Sequence, residues 1–110
     1  MGEFVKGDVV VVSFPFSDLS ASKRRPALVM AKASDKDIIL AQITSQSFHD
    51  EFAVEVAPDD FLTGGLRIIS NVRPNKLFTA ENNIILYKIG TLKHEKMREV
   101  IKIIVNLFSS

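Results

Sequence analysis

A mainly β (α+β) fold, a curled antiparallel sheet of about six to seven short strands with one C-terminal amphipathic helix across its opening, is what this sequence predicts. Three observations carry it. Short β-branched runs separated by turn residues fill the first four fifths of the chain. The apolar period then lengthens to that of a helix in the last segment. The 110 residues suffice for one core but not for two, so residues 1–110 read as a single domain. Pairing order is not written in this pattern, and a mixed sheet is compatible with it.

Val9-Val10-Val11-Val12-Ser13-Phe14, bounded by Gly7-Asp8 and Pro15, is short and β-branched, which favours a buried strand over a helix. A second strand is expected from Arg25 to Ala33, with Pro26 tolerable only at its start because it has no N–H to give a ladder. The turn formers Ser34-Asp35-Lys36 lead into a third strand, Asp37 to Thr44. Phe52 to Val56 alternates as a half-exposed strand should. Pro58 to Leu62 fits one helical turn, and Gly64-Gly65 a break. Leu66 to Arg73, Lys76 to Thr79 and Ile84 to Ile89 complete the strands. Met97, Val100, Ile101, Ile104, Val105 and Phe108 recur at helical spacing, with Thr91 as the expected cap and Glu95 in the first turn.

Composition excludes several classes of function. With no cysteine there is neither disulfide nor thiolate chemistry. The two histidines, His49 and His94, lie far apart and have no companion at ligand spacing, so no metal is expected, and no cofactor either. No run approaches the roughly 18 apolar residues of a membrane span, and the amino terminus lacks the order of a signal peptide, so a cytoplasmic protein without a membrane partner is expected. A net charge of +1 does not by itself announce a nucleic-acid binder. Local clustering has to carry any such reading.

That cluster is Lys23-Arg24-Arg25, at the end of the polar loop that begins at Ser17-Asp18. Pro26 restricts Arg25 to extended backbone, which places its guanidinium where a strand begins. In an antiparallel pair, the start of the second strand lies beside the end of the third, Thr44-Ser45-Gln46. Arg25 and Thr44 are therefore expected in one site, and an arginine with hydroxyl and amide groups suits a phosphate. Phosphodiester chemistry on RNA fits such a site. The ribose 2′-hydroxyl supplies the nucleophile, and the protein must bind the phosphate, stabilise the transition state and manage two protons. Asp59-Asp60 reads as a solvated helix start, since adjacent carboxylates do not face each other across a substrate.

Five segments in register, Gly7-Asp8-Val9-Val10, Phe14-Pro15-Phe16-Ser17, Lys23 to Val29, Gln42 to Gln46 and Val72 to Leu77, resemble the MazF/PemK/Kid toxins over nearly the whole chain. The resemblance implies an SH3-like β-barrel that forms a homodimer and cuts single-stranded messenger RNA without a metal, leaving a 2′,3′-cyclic phosphate and a 5′-hydroxyl. By motif it makes Arg25 the catalytic arginine and Thr44 the hydroxyl at the scissile phosphate. Ser17, Lys23, Arg24, Ser45 and Gln46 would line the RNA groove, and Arg73 matches a second arginine used for binding or catalysis. Two departures stand out: the loop before Arg25-Pro26 offers Asp18 where many members have glutamate, and Asn75 stands where an aspartate is common. Asp18 is then the candidate base. A cognate antitoxin with an acidic, disordered tail is implied as partner. Alternatives are a poison of a protein target, as the gyrase toxin CcdB is, or a catalytically silent RNA- or protein-binding barrel.

Overall fold

Residues 4–15, 22–45 and 50–110 are described in the computed structural model, with side chains left aside at 14, 15, 22 and 23. The strands are β1 (Asp8–Pro15), β2 (Ser22–Lys32), β3 (Asp37–Thr44), β4 (Val54–Val56), β5 (Phe61–Gly64), β6 (Ser70–Glu81) and β7 (Ile85–Leu92), and helix α1 (His94–Ser109) follows. They form one sheet in the order β4-β6-β3-β2-β1-β7-β5, every neighbouring pair antiparallel. The predicted class therefore holds: mainly β, with one C-terminal helix.

Curling follows from the connection between the two edges. β4 and β5 are the outermost strands, yet only residues 57–60 join them, a link that reaches at most about 18 Å. Laid flat, seven strands would hold their edges about 29 Å apart. The sheet must roll into a half-barrel. Its inner face then gathers residues from both edges and from the helix into one cluster, with Val54 and Val56 from β4, Phe61 from β5, and Met97 and Val100 from α1 packed around Val9, Leu28, Ala41, Ile43 and Val72.

The outer face of the central strands is buried too. Val10, Val12, Ala27, Val29, Ile38 and Leu40 form a second cluster, covered by Phe4, Phe78, Ala80, Ile84 and Ile85. Burial on both faces explains why β1 reads as an unbroken valine run rather than an alternation. Leu28 and Leu40 are fully buried on opposite faces, and truncating either to alanine is expected to cost about 2–5 kcal/mol. Where β5 crosses β7, glycine is required: Gly64 has φ +65°, and a Cβ on Gly90 would lie 2.7 Å from the Thr63 carbonyl oxygen.

Several element boundaries differ from the sequence reading. β2 begins at Ser22, not Arg25, so Pro26 lies inside a strand and is paired with Val11 on the β1 side. It is tolerated because the β2–β3 ladder starts only at Ala27↔Gln42, one residue later. Leu66 to Arg73 does not form a strand throughout. The Gly64-Gly65 turn throws residues 66–69 clear, and β6 starts at Ser70, where β4 supplies a partner opposite Val56. From there it runs through Lys76–Thr79 without a break. The helical turn is a 3₁₀ turn limited to Pro58–Asp60, because Phe61 and Leu62 join β5. Residues 82–84 are likewise a 3₁₀ turn before β7. Thr91 is not the helix cap: β7 continues to Leu92, whose amide bonds the Gly7 carbonyl, and Lys93 is the N-cap. Along α1, Ile101, Ile103 and Ile104 pack on the inner cluster, whereas Val105 and Phe108 are exposed.

Candidate active site

Strand alternation sorts the candidate residues by face. In β2, Ala27 and Val29 belong to the outer cluster, so Arg25 shares their face; in β3, Ile38 and Leu40 do the same for Gln42 and Thr44. On β6, Val72 faces the inner cluster, so Arg73, paired with Gln42, faces outward as well. Arg25, Gln42, Thr44 and Arg73 are each half-buried. One end of one face thus holds two arginines, an amide and a hydroxyl from three adjacent strands.

Two irregularities open this end of the sheet. Pro26 marks the end of the β2–β3 ladder, so Arg25 on one strand and Thr44 on the other lie beyond the last paired residues, opposite each other by register. A narrow cleft is left there, lined by Val12, Arg25, Pro26, Ala27, Gln42, Ile43 and Phe78. On the far side of β3 the register jumps from Ala41↔Leu77 to Gln42↔Arg73, so Pro74-Asn75-Lys76 bulge out of β6. Bulges of this kind re-aim side chains at the rim of a sheet.

The bulge places Asn75 and Arg73 around a carboxylate that the sequence reading did not single out. Asp50 Oδ2 accepts a hydrogen bond from Arg73 Nε at 3.1 Å, and Asp50 Oδ1 accepts one from the Phe52 amide at 3.0 Å. The nearby Asn75 side chain favours the anion as well. The Asp50 side chain is only 5% exposed and that of Arg73 23%. The Phe52 amide does most to hold the Asp50 carboxyl below the usual carboxylate range. Burial opposes it, and Arg73 and Asn75 reinforce it. Asp50 is therefore an anion at neutral pH and a weak proton acceptor.

The other sequence candidates divide clearly. Arg24 pairs with Ser13 and lies on the face opposite Arg25, exposed to solvent. Ser45 is exposed just past β3. Ser17, Asp18, Gln46 and His49 lie outside the described residues, as does the side chain of Lys23. His94 opens α1 and is exposed. Gln42 could have been found from the sequence, since it sits two residues before Thr44 and must share its face. Asp50 could not have been assigned to Arg73 in that way, being 23 residues away with β4 and β5 between them in the chain.

The comparisons with known proteins agree with this architecture. Among solved structures, a mycobacterial endoribonuclease in complex with its cognate antitoxin superposes with a TM-score of 0.77 at 12% identity, covering 97% of this chain and 96% of that one. MazF from a MazE-MazF crystal of Deinococcus radiodurans gives 0.77 at 17% identity, covering 96% of each chain. The Mycobacterium tuberculosis toxin MazF-mt6 gives 0.72 at 20%, covering 93% and 96%. Identities this low establish the shared fold alone. No curated protein matches the sequence significantly. A family model does match, that of the PemK-like, MazF-like toxins, over residues 5–108. The chain belongs to this family, the PemK-like, MazF-like toxins of type II toxin-antitoxin systems.

Proposed function

We propose that the chain is an endoribonuclease toxin that cuts single-stranded messenger RNA at short sequences, needs no metal or cofactor, and is held in check by a cognate antitoxin. The observation that carries this reading is the meeting of Arg25 and Thr44 at one open end of one sheet face, in a chain of the PemK-like, MazF-like family. Arg25 holds the scissile phosphate and stabilises the charge that builds on its oxygens, and the Thr44 hydroxyl donates to the same group. Arg73 binds phosphate beside them. Ser17, Lys23, Arg24, Ser45 and Gln46 form the groove for the flanking nucleotides, with Arg24 reached from the opposite face.

In the reaction, the ribose 2′-oxygen attacks phosphorus while the bond from phosphorus to the 5′-oxygen breaks. The 2′-hydroxyl proton passes to a base, for which Asp18 is the candidate, and a second proton goes to the departing 5′-oxygen. The products are a 2′,3′-cyclic phosphate and a 5′-hydroxyl. Because the substrate brings its own nucleophile, the protein's task is charge stabilisation and proton transfer.

The same basic site suits an antitoxin with an acidic, disordered tail, and one mycobacterial relative of this fold was crystallised with its cognate antitoxin. Exposed Val105 and Phe108 on α1 offer apolar surface for a homodimer. Residues 1–110 then work as one toxin domain in the cytoplasm, where messenger RNA is.

Incubation of the purified protein with long single-stranded RNA in EDTA, followed by sequencing of the fragment ends, tests the proposal. Cleavage at a short motif is expected, with a loss of about 10²–10³-fold in Arg25→Ala and a comparable loss in Thr44→Ala. Intact RNA would overturn the reading. Tight RNA binding without cleavage would identify a silent barrel, and inhibition of supercoiling without cleavage a gyrase poison.

A further inference from the structure

Asp50 has more bonds than the turn it sits in requires. Its Oδ1 oxygen already closes the turn by accepting from the Phe52 amide, and its backbone carbonyl accepts from Ala53. The second carboxylate oxygen is left over from that task, and it takes Arg73 Nε at 3.1 Å. Asn75, in the β6 bulge, also favours the carboxylate anion. Arg73 is in turn paired with Gln42, which lines the cleft beside Arg25.

The guanidinium plane is fixed by this contact. Nε is one of five N–H donors on a rigid fork, so a bond at Nε sets the direction in which the terminal amino groups point. A long side chain on a bulged strand has several rotamers, and one buried anion selects among them. The Asp50 carboxylate is itself held by the Phe52 amide, so the geometry passes from a backbone turn through the carboxylate to the arginine.

We propose that Asp50 is a positioning residue: its carboxylate locks the Arg73 guanidinium in the orientation that presents it to a phosphate at the Arg25-Gln42-Thr44 end of the sheet. Asp50 does not touch the reacting atoms and does not serve as the base. The kinetic part of this inference rests on the nuclease reading above. Its structural part does not.

Asp50→Asn separates positioning from turn closure, since the amide oxygen still accepts from Phe52 while the charge toward Arg73 is gone. In full-length ¹⁵N-labelled protein, the Arg73 Nε–H signal, identified by its loss in Arg73→Lys, is expected to exchange slowly with water in the wild type and rapidly in Asp50→Asn. With RNA at saturating concentration, kcat in Asp50→Asn is expected to fall about 10–100-fold, as for a misplaced catalytic-site group. In the Arg73→Ala background the same change should have little further effect. A folded Asp50→Asn variant with unchanged kcat would overturn the proposal. So would tighter RNA binding with unchanged kcat, which marks a carboxylate that merely repels phosphate. Should wild-type protein leave RNA intact, the nuclease reading fails, and the Nε–H measurement alone decides: slow exchange retained in Asp50→Asn refutes positioning, and its loss supports it.

Discussion

Asp8 and Asp50 carry two largely covered carboxylates built on the same plan and put to different use. Each accepts from a nearby backbone amide, Val5 for Asp8 and Phe52 for Asp50, both at 3.0 Å. Each also takes side-chain partners. For Asp8 these are the Thr91 hydroxyl at 3.1 Å and the Lys88 ammonium at 3.8 Å, both on β7, so the cluster ties the start of β1 to the strand beside it. For Asp50 the side-chain donor is Arg73, with Asn75 nearby, at the open end of the sheet. Burial and hydrogen bonding alone therefore do not mark a functional carboxylate. What the carboxylate holds decides, and Asp8 holds a strand whereas Asp50 holds an arginine of the candidate site.

The sharpest way to break this contrast is to remove Asp8. Asp8→Ala leaves the Thr91 hydroxyl and the Val5 amide without their acceptor, and a loss of about 2–3 kcal/mol in urea unfolding is expected. RNA cleavage by the fraction that remains folded should be unchanged. If cleavage falls as it does in Asp50→Asn, the two carboxylates are not functionally distinct.

A smaller effect is expected for the pair itself. Asp50→Ala and Arg73→Ala, combined in a double-mutant cycle of unfolding, should show a coupling of about 1 kcal/mol. Zero coupling would make the 3.1 Å contact energetically idle. The corresponding cycle for Asp8 and Lys88 should give less, about 0.5 kcal/mol, because Lys88 is half exposed and the separation is longer.

The pH dependence follows from the sign of the Asp50 shift. Its carboxyl is held below its ordinary value in the folded protein, so the stability it contributes is fully present above the unfolded carboxyl pKa, about 3.9, and is lost as pH falls through the lower folded value. The stability difference between wild type and Asp50→Asn should therefore be constant from pH 7 to about pH 5 and narrow below about pH 4. A difference that widens on acidification would contradict the ion pair.

The two ends of the molecule also differ in how far they could be read in advance. Turn residues and β-branched runs placed the first three strands within a few residues, and the change of period located α1. Arg25 and Thr44 were legible as neighbours because an antiparallel hairpin allows only one arrangement of its ends. Pro26 was misread as a strand start, since its cost depends on whether a partner strand lies on its N–H side, and β3 does not pair there. Asp50 was not legible as a site residue. Nothing local to it announces that a bulge two strands away will bring Arg73 and Asn75 to its carboxylate.

By itself, the sequence determined the fold class, the C-terminal helix and the placement of Arg25 opposite Thr44, because each depends on short-range periodicity or on one hairpin. The rolling of the sheet, the cleft opened at Pro26 and the Asp50-Arg73 contact were decided only by tertiary structure. These depend on registers and edges between strands distant in the chain, where one bulge shifts every later side chain, and no local pattern encodes that shift.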